Sequence, residues 1–170
     1  MRSPRHPRRR ARRRRLCRRH AASGRRSTFT PRTTARQFRS PTTRSKPVVI
    51  FFFSTDCPHC QRAASQMAPL YPELKKKGIE ILGLAMNPTA KNNLNAFIKA
   101  HTVQFPAGVS SDKQFRAFAN LTVMQNFYYP YMLFVDPAGQ IREEHQGAER
   151  AWYGNFEFNL LKSIDNISAK

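Results

Sequence analysis

The sequence predicts an α/β domain in which helices cover both faces of a β-sheet. After residue 46, apolar strand segments alternate with segments of helical periodicity, and this alternation is typical of such a sheet. The first strand, 48–53, consists of six consecutive β-branched or aromatic residues, so we expect it to be buried on both faces. A chain of 170 residues is long enough for one such domain and an appendage.

The remaining elements follow in order along the chain. Apolar residues recur at three- and four-residue steps from Cys57 to Leu74, which predicts one helix that Gly78 ends. Thr89 can cap a second helix, and the last helix carries an apolar stripe. The later strands are predicted at 79–86, 105–109 and 131–135, with a polar edge strand at 140–145. The second helix has an apolar face of Leu94, Phe97 and Ile98, and a short helix is predicted at 112–120. The apolar stripe of the last helix consists of Phe156, Leu160, Leu161, Ile164 and Ile167.

Positive charge is concentrated at the start of the chain. The net charge is +20, but residues 1–46 hold 18 of the 30 Lys and Arg residues and no Asp or Glu. Residues 47–170 therefore carry 12 basic and 10 acidic side chains, a net charge of +2. We predict a disordered, Arg-rich leader at 1–46, because like charges repel and little apolar surface is available there, followed by one folded domain at 47–170.

The leader admits several functions. It could bind nucleic acid or another anionic surface through its arginines, or it could be a targeting segment, although no apolar stretch marks a secretory signal. It could also lack a specific role, or lie upstream of the true start of translation. Cys17 is then a stray thiol without a role. No run of 18 apolar residues is present, so we expect no membrane span.

The chemistry of the chain is concentrated where the first strand meets the first helix. There, Cys57-Pro58-His59-Cys60 forms a C-x-x-C motif in a strand–helix–strand context. Cys57 at the helix N-terminus is favoured as a thiolate, and the three-residue spacing places Cys60 close enough for a disulfide. Pro58 suits the first helical turn. His59 could stabilise the Cys57 thiolate further, whereas Asp56 would oppose it; the sequence does not decide between them.

Other interpretations of the cysteines are weaker. A zinc site would need further ligands, but His59, His101 and His145 lack ligand spacing, and Cys17 lies in the leader. We therefore expect no metal, and we expect His101 and His145 on the surface.

Residues 47–170 resemble the thioredoxin superfamily, and within it the TlpA/ResA-like thiol–disulfide oxidoreductases and redoxin-domain proteins. The segment from Pro47 through the C-P-H-C motif is similar to that family's first strand and active-site turn. Phe105-Pro106 is similar to an extra βα insertion, and the segment 129–139 resembles the loop and strand that carry the superfamily's cis-proline. The resemblance implies a thioredoxin-like fold with a central mixed sheet and the extra βα unit before the cis-Pro strand.

The same resemblance implies the activity. Cys57 would be the nucleophile, Cys60 the resolving cysteine, and the pair a redox-active disulfide that needs no cofactor. The bond before Pro130 would be cis, and Tyr129 would contact the substrate. The partners would be protein thiols or disulfides and an unidentified redox partner. The Pro58-His59 dipeptide matches the oxidant DsbA, so either direction of exchange is open.

Two residues depart from the family's pattern, and two other functions compete with thiol–disulfide exchange. Tyr129 is bulky where many relatives have a small residue, and Ala63 stands where many TlpA/ResA relatives have a Glu, so proton transfer at Cys60 would need water or His59. A peroxiredoxin-type peroxidase is the first rival, although its P-x-x-x-T-x-x-C pattern fails at Ile50 and Ser54. The second rival is a nucleic-acid-binding protein acting through the leader, with binding that falls as salt rises.

The sequence leaves the compartment open. The family's thiol–disulfide exchange is usually extracytoplasmic, which would place the protein in the periplasm or cell envelope if the leader is a wrong start. Otherwise we expect a cytoplasmic protein.

Overall fold

A computed structural model describes residues 45–168 of the chain. Most of the predicted leader, residues 1–44, lies outside the described residues. The described part contains a mixed α/β arrangement whose elements are β1 Val48–Phe53, α1 Pro58–Met67, α2 Tyr71–Lys76, β2 Glu80–Ala85, α3 Ala90–Ala100, β3 Ala107–Val109, α4 Asp112–Ala119, β4 Tyr131–Val135, β5 Ile141–Gln146, α5 Arg150–Gly154 and α6 Phe156–Ser168.

The five strands of residues 45–168 form one mixed sheet in the order β3-β2-β1-β4-β5. β1 lies at the centre, parallel to β2 and antiparallel to β4. Phe53 at the end of β1 pairs with Ala85 at the end of β2, and Phe52 pairs with Tyr131 at the start of β4. The segments that follow β1 and β2 and the segment that precedes β4 therefore lie at the same edge of the sheet.

Alternate side chains of β1 enter two separate cores, as a central strand requires. Val49, Phe51 and Phe53 belong to one cluster, which α1 and α6 cover with buried residues such as Met67 and Leu160. The side chains of the other parity enter a second cluster beneath α4, where Phe52 lies 4.5 Å from Phe115 between ring centroids; this cluster holds Val48, Ile50, Phe52, Phe115 and Phe118. Both faces of the sheet are covered, as predicted.

The single helix predicted from Cys57 to Leu74 is in fact two helices. α1 ends at Met67 and α2 begins at Tyr71. Pro72 explains the break, because it has no N–H to donate to the carbonyl of Ala68 and its ring would clash with that carbonyl in a continuous helix. The apolar periodicity continues across the break because both helices bury their inner faces in the same core.

The predicted βα unit between the second helix and the cis-Pro strand is present as β3 and α4. α4 begins with a capping box, in which the Ser111 hydroxyl accepts from the Gln114 N–H and the Gln114 side chain accepts from the Ser111 N–H. Asn120 ends the helix in the left-handed conformation (φ 54°). Thr89 does occupy the N-cap of α3, but its side chain makes no capping hydrogen bond.

The short helix α5 was not predicted. It has no fully buried residue, so no apolar stripe announces it in the sequence. Its N-terminus follows Glu149, whose carboxylate accepts a hydrogen bond from the Gln146 N–H at 2.8 Å. The last helix, α6, buries Phe156, Leu160, Ile164 and Ile167 as expected, while Leu161 is only half-buried.

Within residues 45–168, no helix combines the length and the apolar character that crossing a membrane requires.

Candidate active site

Cys57 lies at the N-cap of α1, directly beyond the central strand. Its Sγ accepts a hydrogen bond from the backbone N–H of Cys60 at 3.4 Å, so the sulfur satisfies one of the helix's unpaired amides. Pro58 occupies the first turn, where its missing N–H costs nothing. A negative charge on this sulfur would be stabilised by the amide and by the positive end of the helix dipole.

The two thiols of the motif have different surroundings. Cys57 is half-exposed, whereas Cys60 has 0% of its surface exposed, and both are free thiols in this structure. Burial, together with a side-chain hydrogen bond to Cys57, raises the pKa of the Cys60 thiol far above its usual value. Cys57 is therefore the accessible sulfur, and Cys60 is a protonated thiol held behind it.

The turn between β1 and α1 is fastened to the end of β2 by Asn87. The Asn87 Oδ1 accepts from the Thr55 N–H at 3.0 Å, while its Nδ2 donates to the Thr55 Oγ1 at 2.8 Å and to the Asp56 Oδ2 at 2.9 Å. Thr89 donates to the same Asp56 oxygen at 3.3 Å. Asn87 and Thr89, the residues just before α3, thus hold the Asp56 carboxylate. In the sequence, Asn87 only follows the predicted strand 79–86, and nothing local predicts this anchor.

His59 is exposed on the first turn of α1. Its imidazole makes no hydrogen bond or ion pair with any residue between 45 and 168, so its predicted effect on the Cys57 thiolate stays a prediction. Ala63, three residues after Cys60, is buried in the same core cluster as Cys60 and brings no carboxylate there.

The predicted cis-proline is present. The Tyr129–Pro130 bond is cis, and Pro130 is buried just before β4. Tyr129 packs against the core cluster that contains Cys60. Burial, then the negative charge of Asp112 and that of an ionised Cys60, raise the pKa of Tyr129 to about 12. The cysteine turn and the cis-proline loop thus lie close together.

The loop before the cis-proline is ordered by Arg116 on α4. Its Nη1 donates to the carbonyls of Thr122 at 2.7 Å and Gln125 at 2.9 Å, and its guanidinium lies 5.1 Å from the centre of the Phe127 ring. Phe127 in turn makes an edge-on contact with Tyr129, with ring centroids 5.3 Å apart.

Gly147 packs directly against the cis peptide. A Cβ on this residue would collide with the carbonyl oxygen and carbon of Tyr129 and would lie 3.2 Å from the Pro130 Cδ. The Gly147 N–H also donates to the Tyr128 carbonyl at 3.1 Å. Only glycine permits this approach of two backbones. In the sequence, Gly147 is an isolated glycine after a polar strand, and nothing local distinguishes it from a turn residue.

His145 was predicted on the surface, and this prediction is wrong. Its side chain is 19% exposed and lies between two carboxylates, with Nδ1 2.7 Å from Glu149 and Nε2 3.5 Å from Glu143. Its ring is stacked on Trp152 at a centroid distance of 4.4 Å. The aromatic partner comes from α5, which the sequence did not reveal. His101 is half-buried against Phe97 and hydrogen-bonded to Ser65.

No group of three or more His, Cys, Asp or Glu side chains in residues 45–168 is arranged to hold a metal ion.

A family model described as the AhpC/TSA family matches residues 27–144. The match begins within the segment assigned above to the leader. Among curated proteins, the chain is 29% identical over 103 residues to the thiol-disulfide oxidoreductase ResA of Oceanobacillus iheyensis, covering 61% of this chain and 50% of the relative. It is 28% identical over 106 residues to ResA of Bacillus thuringiensis, covering 62% of this chain and 58% of the relative. The chain thus spans between half and three-fifths of these relatives.

Solved structures share the fold. A thiol:disulfide interchange protein of the thioredoxin family from Chlorobium tepidum matches with a TM-score of 0.57 at 17% identity, over 72% of this chain and 83% of that one. A secreted disulfide oxidoreductase of Mycobacterium tuberculosis, homologous to Escherichia coli DsbE, matches with a TM-score of 0.57 at 16% identity, over 74% and 84%. At these identities the likeness establishes a thioredoxin-like fold.

Proposed function

The chain belongs to the AhpC/TSA family, and from this premise we propose that it is a thiol–disulfide oxidoreductase whose redox-active pair is Cys57 and Cys60. One observation carries the proposal: an accessible sulfur at a helix N-terminus lies in front of a buried, protonated thiol. The adjacent cis-proline loop supports it, because a backbone next to the sulfurs can pair with an extended substrate. The ResA relatives point to the same activity.

The reaction proceeds by two exchanges. The Cys57 thiolate attacks one sulfur of a substrate disulfide; the substrate S–S bond breaks, a mixed disulfide forms, and the released substrate thiolate takes a proton. Cys60 then loses its proton and attacks the Cys57 sulfur, which releases the second substrate thiol. The substrate gains two electrons and two protons, and the enzyme ends as the Cys57–Cys60 disulfide. A dithiol donor restores it, and the reverse sequence oxidises substrates.

The second exchange depends on deprotonation of Cys60. Because burial raises its pKa, Cys60 is a neutral thiol during the first exchange, which leaves Cys57 as the attacking sulfur. With Ala63 at the neighbouring core position, we propose that water or the exposed His59 accepts this proton. Pro58 and His59 set the redox poise, and Tyr129 contacts the substrate.

Protein thiols and disulfides are the proposed substrates, and an extracytoplasmic compartment is the proposed location. The secreted Mycobacterium tuberculosis protein of the same fold supports this location, since structural disulfides persist in oxidising compartments. The peroxidase alternative has less support, because Ile50 is a buried residue inside β1 and Ser54 takes the place of the threonine that the peroxiredoxin pattern requires.

The test uses the full chain and three single substitutions. We expect Cys57→Ser to reduce insulin-disulfide reduction to the uncatalysed rate, because the attacking sulfur is gone. Cys60→Ser should retain the first exchange and accumulate a mixed disulfide that mass spectrometry detects after alkylation. Cys17→Ser is the matched control and should keep the wild-type rate.

Full activity of the Cys57→Ser variant would contradict the proposal. Equilibration of the wild-type protein with glutathione buffers gives the reduction potential of the Cys57–Cys60 pair and hence the direction of exchange. A value of about −120 mV marks an oxidant, and one of about −270 mV marks a reductant.

A further inference from the structure

Tyr153, on the short helix α5, is hydrogen-bonded to the cis-proline loop. Its hydroxyl donates to the carbonyl of Pro130 at 3.0 Å and, at 3.3 Å, lies within reach of the carbonyl of His145. The phenol has one proton, so the two carbonyls share it, with the shorter bond directed at Pro130. One side chain thus joins the loop to the edge strand β5.

This hydrogen bond lies just beyond the ladder between β4 and β5. The ladder's last pair is Tyr131 with Gln146, so Pro130 lies outside the regular register. Gly147 contacts the preceding peptide, through its N–H to the Tyr128 carbonyl and its close packing on Tyr129. Beyond the last strand pair, the Tyr153 side chain therefore supplies the hydrogen bond that would otherwise come from the backbone pairing of β4 and β5.

The Tyr153 ring is held in place by α5 and α6. It is stacked on Phe156 with an interplanar angle of 15° and lies edge-on to Trp152 at a centroid distance of 4.8 Å. The same core cluster contains Cys60 and, at its margin, Cys57 and Tyr153. Burial raises the pKa of Tyr153 strongly, and the negative charges that Cys60 would carry when ionised and that Glu149 carries add to the effect, so the phenol proton remains available for donation.

We propose that Tyr153 is a positioning residue, whose hydroxyl fixes the Pro130 carbonyl and thereby holds the Tyr129–Pro130 segment in place to pair with the backbone of a protein substrate. The inference rests on the proposed function and adds that protein substrates and small dithiols differ in their dependence on this hydroxyl. Substrates that lie along the loop need this hydroxyl. Small dithiols, which only have to reach the Cys57 sulfur, do not.

The experiment compares two conservative variants of the full chain. Tyr153→Phe removes the hydroxyl and keeps the ring packing, and we expect KM for insulin disulfides to rise about tenfold, the equivalent of one hydrogen bond of about 1.4 kcal/mol. The kcat value, and the rate at which dithiothreitol reduces the Cys57–Cys60 disulfide, should stay within about twofold of wild type. Tyr71→Phe is the matched control, because it removes a hydroxyl bonded to Glu80 at 2.9 Å, outside the site.

Each outcome decides one question. A KM for Tyr153→Phe equal to that of wild type, or raised equally in Tyr71→Phe, overturns the positioning role. A slowed reaction with dithiothreitol also overturns it, because the effect then lies in the thiols. Circular dichroism on both variants verifies that they are folded. Failure of the wild-type chain both to reduce insulin and to oxidise a dithiol peptide refutes the proposed function, and the inference with it, independently of any variant.

Discussion

The cysteine turn and the cis-proline loop meet at one site, but they are held there by different means. The turn is fixed from within by the cap of α1 and from outside by one amide side chain, Asn87. The loop is fixed from outside by backbone contact with Gly147 and by the Tyr153 hydroxyl. The reactive sulfur thus depends on its own helix and on the segment after β2, whereas the surface beside it depends on Arg116 of α4 and on the residues that follow β5. Changes after β5 should alter substrate pairing and leave the thiols alone.

The strongest test of this difference is Gly147→Ala. The added Cβ meets backbone atoms of Tyr129, which cannot move aside as a flexible side chain would, so we expect a loss of about 3 kcal/mol in the free energy of unfolding. Urea unfolding of the reduced protein measures it. Gly154→Ala is the control, because a Cβ at Gly154 meets nothing within 4 Å, and that variant should keep or slightly exceed wild-type stability.

Asn87→Ala tests the other half of the comparison. The substitution leaves the Thr55 N–H and the Asp56 carboxylate without their amide partner, and we expect a loss of about 2 kcal/mol in the free energy of unfolding. The reduction potential of the cysteine pair should change as well, since the turn itself loosens. Asn93→Ala removes a single exposed hydrogen bond to Thr89 and serves as the control. A potential unchanged in Asn87→Ala would show that the helix cap alone orders the turn.

The smallest effect is a pH dependence that belongs to Cys60. Folding raises its pKa above the usual value of 9.0, so above that pH the unfolded chain releases a proton that the folded chain keeps. The free energy of unfolding should therefore fall as pH rises beyond about 9, by about 1.4 kcal/mol per pH unit for this one group.

Two variants, kept reduced during the measurement, isolate that contribution without the Cys57–Cys60 disulfide. Cys57→Ser and the double variant Cys57→Ser/Cys60→Ser share every tyrosine whose pKa is also raised, so those contributions cancel between them. Measured from pH 8 to about pH 10, the unfolding free energy of Cys57→Ser relative to that of the double variant should change little up to about pH 9 and then fall at that slope. A constant difference would mean that Cys60 ionises as readily in the folded chain as in the unfolded one.

The features that could be predicted from sequence are those with a local cause. An apolar run identifies β1, and a proline-containing C-x-x-C motif at its end identifies the cap of α1. The cis bond at Pro130 followed from a resemblance that extends through β4. The helix break at Pro72 could also have been predicted from the missing N–H, but the apolar periodicity that continues past it favoured a single helix.

The supporting residues could not be predicted, because each acts on a segment far away in the chain. Asn87 is 32 residues from Thr55, and Tyr153 is 23 residues from Pro130. Their roles depend on the sheet order, which places β1 between β2 and β4. The short helix α5 has no apolar stripe, so its sequence does not indicate that the Tyr153 hydroxyl reaches the cis-proline loop. His145 was misassigned for the same reason, since its ring partner Trp152 comes from that helix.

The central position of β1 also limits how the C-P-H-C motif can be reused. A peptide that spans residues 48–67 would carry both cysteines and the sequence of the helix, and its thiols could still be oxidised to a disulfide. It would have neither the Asn87 amide that anchors the turn nor the cis-proline loop and the Tyr153 phenol that supports that loop. Grafting the motif onto another scaffold therefore transfers a reducible pair, whereas transferring recognition requires neighbours from both sides of the parent sheet.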